Sequence, residues 1–169
     1  MHRLRFALLT VMVACGGAAS GSHPSTTASP TSLPLHRLQE RAPFAYASGY
    51  DTAETVVIRT GAAWRAAWTR IHGGMMPLPV MPAIDFSRNV VVLVAVGTQS
   101  SGGHGVAITR ADLDAGTVTV HAVHTLPGPG CGVTMALTQP VDVVRLATTA
   151  QTITFEVTAR TAPPCPGAE

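Results

Sequence analysis

Asn89-Val-Val-Val-Leu-Val-Ala-Val96 decides how the chain is read, because eight residues pass without one alternating polar position. A strand with one face in water alternates apolar and polar residues; an unbroken run of this length, rich in β-branched residues, is expected of a strand covered on both faces. The elements around it must supply the two covers. Upstream, residues 55–59 read as a short strand, and Thr60 can cap a helix over residues 61–72. Trp64, Ala67, Trp68 and Ile71 follow i, i+3, i+4, i+7 spacing and share one helical face. Such a stripe reads as core rather than as a ligand platform. Residues 75–86 are broken by prolines and are expected to be extended.

Downstream, residues 97–105 form a loop of small residues, and residues 105–110 and 117–124 read as strands joined by a turn through Asp112, Asp114 and Gly116. Val133, Met135 and Leu137 alternate with Thr134, Ala136 and Thr138, which predicts another strand, and residues 141–146 resume after Pro140. Ile153, Phe155 and Val157 alternate with threonines and Glu156 in the last strand. The expected fold class is mainly β: a β-sandwich or open barrel of six to seven short strands with one packed α-helix.

The N-terminus has a different task. Met1-His-Arg-Leu-Arg5 is a short basic region, and residues 6–14 are apolar but too few to span a bilayer, as in a signal peptide. It ends in Met12-Val13-Ala14-Cys15, which resembles the bacterial lipobox, with Met12 where Leu is more usual. Residues 1–14 are therefore expected to be a lipoprotein signal peptide, and Cys15 the lipidated residue, since two or three acyl chains bury enough CH₂ groups for stable attachment. From Gly16 the chain is Gly, Ser, Thr, Ala and Pro with scattered His, too polar to bury a core. Residues 15–43 thus read as a lipidated cysteine with a flexible tether, His23 and His36 solvated within it, and residues 44–169 as the folded domain. The expected location is the cell envelope, outside the cytoplasm, on a bacterial membrane.

Charge narrows the function. All 11 basic residues are Arg, against 9 acids, and loss of Arg3 and Arg5 with the signal peptide leaves the two balanced. Nucleic-acid binding needs a basic face and is not expected. Cys131 and Cys165 are an exported pair, most simply a disulfide, worth at most about 3.5–4 kcal/mol by chain entropy.

Two constellations invite chemistry. His121-Ala-Val-His124 suggests a metal, but residues three apart on a strand point to opposite faces, and no partner stands at ligand spacing. No metal and no cofactor are expected. Gly97-Thr-Gln-Ser-Ser-Gly-Gly-His104 puts two serines beside a histidine, yet lacks the G-x-S-x-G pattern and its strand-to-helix turn. A hydrolase using Ser100 or Ser101 with His104 is the alternative reading, and no catalytic residue is assigned. Loops on rigid β scaffolds are where binding sits, so Ser101, Gly102, Gly103 and His104 are the candidate partner-binding residues.

The spaced motifs Trp64-x₃-Trp68, Pro82-Ala-Ile-Asp-Phe-Ser87, residues 90–97, Ser101-Gly-Gly-His-Gly-Val-Ala-Ile108, Leu126-Pro-Gly-Pro-Gly-Cys131 and Thr138-Gln-Pro140 together resemble the C-terminal domain of the protease complex subunit PrcB family. The resemblance covers about residues 55–158, with His104 where that family usually has Tyr. It implies a lipoprotein that associates with a secreted protease and stabilises it; no catalytic residues come with it. A binding module for an unidentified extracytoplasmic protein, held on the membrane by lipid, is the expected function. A binder of small ligands or envelope components is the other non-enzymatic alternative.

Overall fold

The computed structural model describes residues 29–38, 48–73 and 75–166. Eight strands and one helix follow in the order β1 (Thr31–Ser32), β2 (His36–Arg37), β3 (Ala53–Ile58), α1 (Gly61–Ile71), β4 (Val90–Val96), β5 (Gly105–Asp114), β6 (Thr117–Leu126), β7 (Val141–Leu146) and β8 (Thr152–Thr161). They form two four-stranded sheets, β2-β7-β4-β3 and β1-β5-β6-β8. The fold is a mainly β sandwich with a helix on one side, and neither sheet closes into a barrel.

The unbroken run of β4 is explained by three layers. Val91, Leu93 and Ala95 pack with Trp64, Trp68 and Ile71 of α1, while Val90, Val92 and Val94 pack against Ile108, Val118 and Val120 of the other sheet. The sheet holding β4 is thus the middle layer, and Val90, Val91, Val92 and Leu93 are wholly buried. β7 divides the same way, Val143 towards the helix and Val144 and Leu146 towards the outer sheet.

Helix α1 begins where Thr60 accepts the Ala63 N–H at 3.2 Å, which satisfies a donor with no partner inside the helix. The two tryptophans are core, as their spacing predicts, and each also spends its one donor. Trp64 Nε1 donates to the Pro82 carbonyl at 2.9 Å and Trp68 Nε1 to the Pro79 carbonyl at 3.0 Å. The proline-broken segment is so latched across the helix.

Two expectations need correction. Two strands, β1 and β2, lie inside the stretch assigned to the tether, so pairing begins at Thr31, ahead of the expected boundary at 43/44. β1 pairs with β5 and β2 with β7, so one short strap crosses between the sheets at their shared edge. Leu33 and Leu35 pack under it, and His36, although exposed, is a strand residue. The expected mainly β sandwich with one packed helix is found, with eight strands among the described residues. The predicted strand at 133–137 does not form: Met135 is 91% and Leu137 65% exposed, and only Thr138 makes a bridge, to Gln99. Alternation there meets no neighbouring strand able to pair with it.

Arg37 of the strap meets the one buried carboxylate among the described residues. Asp142 faces the inter-sheet layer, only 8% exposed, beside the irregularity in β5 between Ile108 and Arg110. There its carboxylate accepts the Ile108 N–H at 2.7 Å, and Arg37 forms an ion pair with it while donating to the Ile108 carbonyl at 2.8 Å. Both Ile108 main-chain groups thus have partners, as buried polar groups require.

Candidate functional site

The loop at 97–104 leaves the buried end of β4 and enters β5 at the edge of the outer sheet. It is held against the segment that follows the Pro-Gly-Pro-Gly turn. Gln99 and Thr138 exchange backbone hydrogen bonds at 2.7 and 3.1 Å, Gly102 N–H donates to the Thr134 carbonyl at 2.8 Å, and Thr138 Oγ1 donates to the Ser101 carbonyl at 2.9 Å. Gly102 is buried in this seam, and a Cβ on it would collide with Thr134 Oγ1. Gly103 takes φ +80°, where L side chains are strained, and a Cβ there would lie 2.9 Å from Val133.

The second wall is itself braced. Cys131 and Cys165 form a disulfide with their Cα atoms 5.0 Å apart. Cys165 N–H donates to the Pro129 carbonyl and Cys131 N–H to the Gly128 carbonyl, both at 3.2 Å, while Ala162 N–H donates to the Leu126 carbonyl at 2.9 Å. The ends of β6 and β8 and the segment at 127–138 are tied together here. From this braced segment Met135 and Leu137 project into solvent.

His104 does not stand alone. Val106 lies opposite His124 in the β5–β6 register, so His104 is diagonal to His124, and His104 Nδ1 is 3.3 Å from His124 Nε2. Their rings tilt by 37° with centroids 5.5 Å apart. His124 continues the inward row of Val118, Val120 and Ala122, and it lines a cleft of about 400 Å³ where the two sheets part, among Ala53, Thr55, Val96, Val157 and Ala159. Burial pushes the His124 pKa down, and the charge of His104 lowers it further. With both rings neutral, one N–H can donate to the other nitrogen; with both protonated, two cations face each other.

The hydrolase arrangement is not formed. Ser101 Oγ donates to the Gly102 carbonyl at 3.2 Å, Ser100 is exposed, and neither hydroxyl hydrogen-bonds to His104. The pair His121 and His124 diverges as strand geometry predicts. His121 lies on the outer face, 3.2 Å from Asp112 and 3.0 Å from Glu156, in a surface network with Arg110. Among the described residues no three His, Cys, Asp or Glu side chains gather as a metal site.

Of the residues singled out from sequence, Ser101, Gly102, Gly103 and His104 share this one loop, and Cys131 and Cys165 brace the wall beside it. Cys15 and the signal peptide lie outside the described residues. No described helix is long and apolar enough to cross a membrane. Two features escaped sequence reasoning: His124 as the partner of His104, and Met135 with Leu137 as exposed apolar residues. The first has no signal in the turn: the register set at Ala115-Gly116 would place Ala107 opposite His124, and only the irregularity between Ile108 and Arg110 moves Val106 there and brings His104 to the same face as His124.

Residues 90–147, about a third of the chain, match the family model described as PrcB C-terminal. That stretch runs from β4 through β7 and holds the loop, both histidines and the braced segment, leaving α1 and β8 outside it. No curated protein and no solved structure matches the chain.

Proposed function

We propose that this chain is a surface-tethered binding module which associates with a protease-complex partner and stabilises it, a reading supported by the match of residues 90–147 to the PrcB C-terminal family model. The family points to a protease-associated subunit rather than a catalytic domain. The observation that carries the reading is the bracing of the loop at 97–104 against a disulfide-tied segment that offers Met135 and Leu137 to solvent. A surface already ordered before binding loses less entropy when a partner docks. Apolar side chains beside main-chain groups of small residues suit a protein surface better than a small polar ligand. In this reading Cys15 carries the lipid, residues 1–14 are removed, and the domain stands outside the cytoplasm on a tether shortened by the strap at 31–37.

Affinity capture from intact cells after cross-linking, read by mass spectrometry, tests the association. A protease or protease-complex component recovered in near-stoichiometric amount is the expected result; recovery of no such component overturns it. Cys15→Ser tests the anchor separately. The wild-type chain should partition into detergent and the variant into the aqueous phase, and equal aqueous partitioning of both removes the lipid from the account.

A further inference from the structure

The outer sheet ends on β8, and among the described residues no strand pairs with its free edge. β8 has ten residues, with neither Pro nor Gly among them, and Glu156 and Arg160 are its only charges. It follows β6 in unbroken parallel register from Thr117↔Thr152 to Leu126↔Thr161, so no bulge turns the edge away. A long, regular, weakly charged edge is a template for another strand. On its inner face Val157 is left 44% exposed.

We propose that β8 pairs antiparallel with β8 of a second copy of this chain, about a two-fold axis at Thr158, joining two outer sheets into one of eight strands. The charges select both the occupant and the register. Glu156 and Arg160 lie on the same face of β8, at equal distances from Thr158. Pairing centred there sets Glu156 opposite Arg160 of the second copy, and the reverse, while Val157 meets Ala159 on the inner face. Opposite charges directly across two strands attract and like charges repel. Moving the axis to Glu156 or to Arg160 sets that residue against its own copy. A shift of the axis by half a residue sets inward side chains of one sheet beside outward ones of the other. Beyond Ala162, Pro163 and Pro164 offer no N–H and end the pairing. Glu156 already contacts His121, yet its side chain is 64% exposed and remains within reach of a second strand. β8 lies outside the stretch matched to the family, so this interface does not depend on the protease-partner reading.

The test is sedimentation velocity on the full chain, comparing wild type with E156R, R160E and the double variant E156R/R160E. Wild type should show a concentration-dependent monomer–dimer equilibrium. Each single variant turns both ion pairs of the dimer into like-charge pairs and should weaken dimerisation by about tenfold or more. The double variant restores opposite charges and should return to within roughly threefold of wild type. A monomer at all concentrations, a dimer that the single variants leave intact, or a double variant no tighter than the singles overturns the proposal. Thr158→Cys checks it without touching charge: a reducible dimer beyond that of wild type under oxidising conditions is expected, and its absence counts against the axis.

Discussion

The two sheets have the same number of strands and opposite circumstances. The middle sheet is covered by α1 on one face and by the outer sheet on the other, and its central strand β4 contributes no polar side chain. The outer sheet has one face in water, and on it stand Arg110, Asp112, His121 and Glu156, with His104 and His124 at its inner end. Stability concentrates in the first, where every truncated methyl group leaves a void. His104, His121, His124 and the long unpaired edge of β8 belong to the second. The loop at 97–104 joins the two, leaving the most buried strand and entering the polar sheet, so a rigid base carries the residues proposed to meet a partner.

The sharpest way to break this contrast is in the middle sheet. Leu93→Ala should cost about 3 kcal/mol, since Leu93 is wholly buried against α1 and the void cannot refill from a layer covered on both sides. Val157→Ala on the outer edge should cost less than about 1 kcal/mol, because that side chain is already partly in solvent. Chemical denaturation of both variants measures the difference; equal losses would mean the sheets share the load. Next in size is the polar link between the sheets. Asp142→Ala strips the Ile108 N–H and Arg37 of their acceptor, and a loss of about 2 kcal/mol is expected in the same denaturation series.

A smaller effect follows from protons. Burial lowers the pKa of His72, whose Nε2 is buried without a hydrogen-bond partner among the described residues, and burial with the His104 charge lowers that of His124. Each therefore binds protons less well folded than unfolded. Their contribution is fully present above the unfolded histidine pKa of about 6.5 and is lost as pH falls through the lower folded values. The melting temperature should fall between about pH 7 and pH 5, and His124→Phe should flatten part of that slope. A slope identical in wild type and variant would remove His124 from the explanation.

The contrast also accounts for what the sequence discloses. β4 is legible because double burial leaves an unbroken apolar run, and α1 because its stripe has one period and a Thr60 cap. The parallel pairing of β6 with β8 is not legible: β7 intervenes in the other sheet, and a strand does not name its neighbour. β1 and β2 were hidden by length, two residues each, although Leu33 and Leu35 alternate about Pro34 and face the core. Residues 133–137 show the opposite failure, a strand-like alternation whose apolar positions face water. At the site, the loop could be chosen from composition alone, but its bracing depends on partners over 30 residues away.

The central claim is that the braced surface beside His104 binds the partner. Capture from intact cells by wild type, by His104→Ala and by the double variant Met135→Asp/Leu137→Asp, with the melting temperature of each, tests it most directly. These side chains are exposed or half-buried and bear little of the core, so all three proteins should melt within a few degrees of one another, as surface changes of about 0.5 kcal/mol allow. Capture should fall about tenfold or more in the double variant and less in His104→Ala, in line with losing central apolar contacts against one polar contact. Undiminished capture by both variants at unchanged melting temperature would contradict the account and place the partner elsewhere on the molecule.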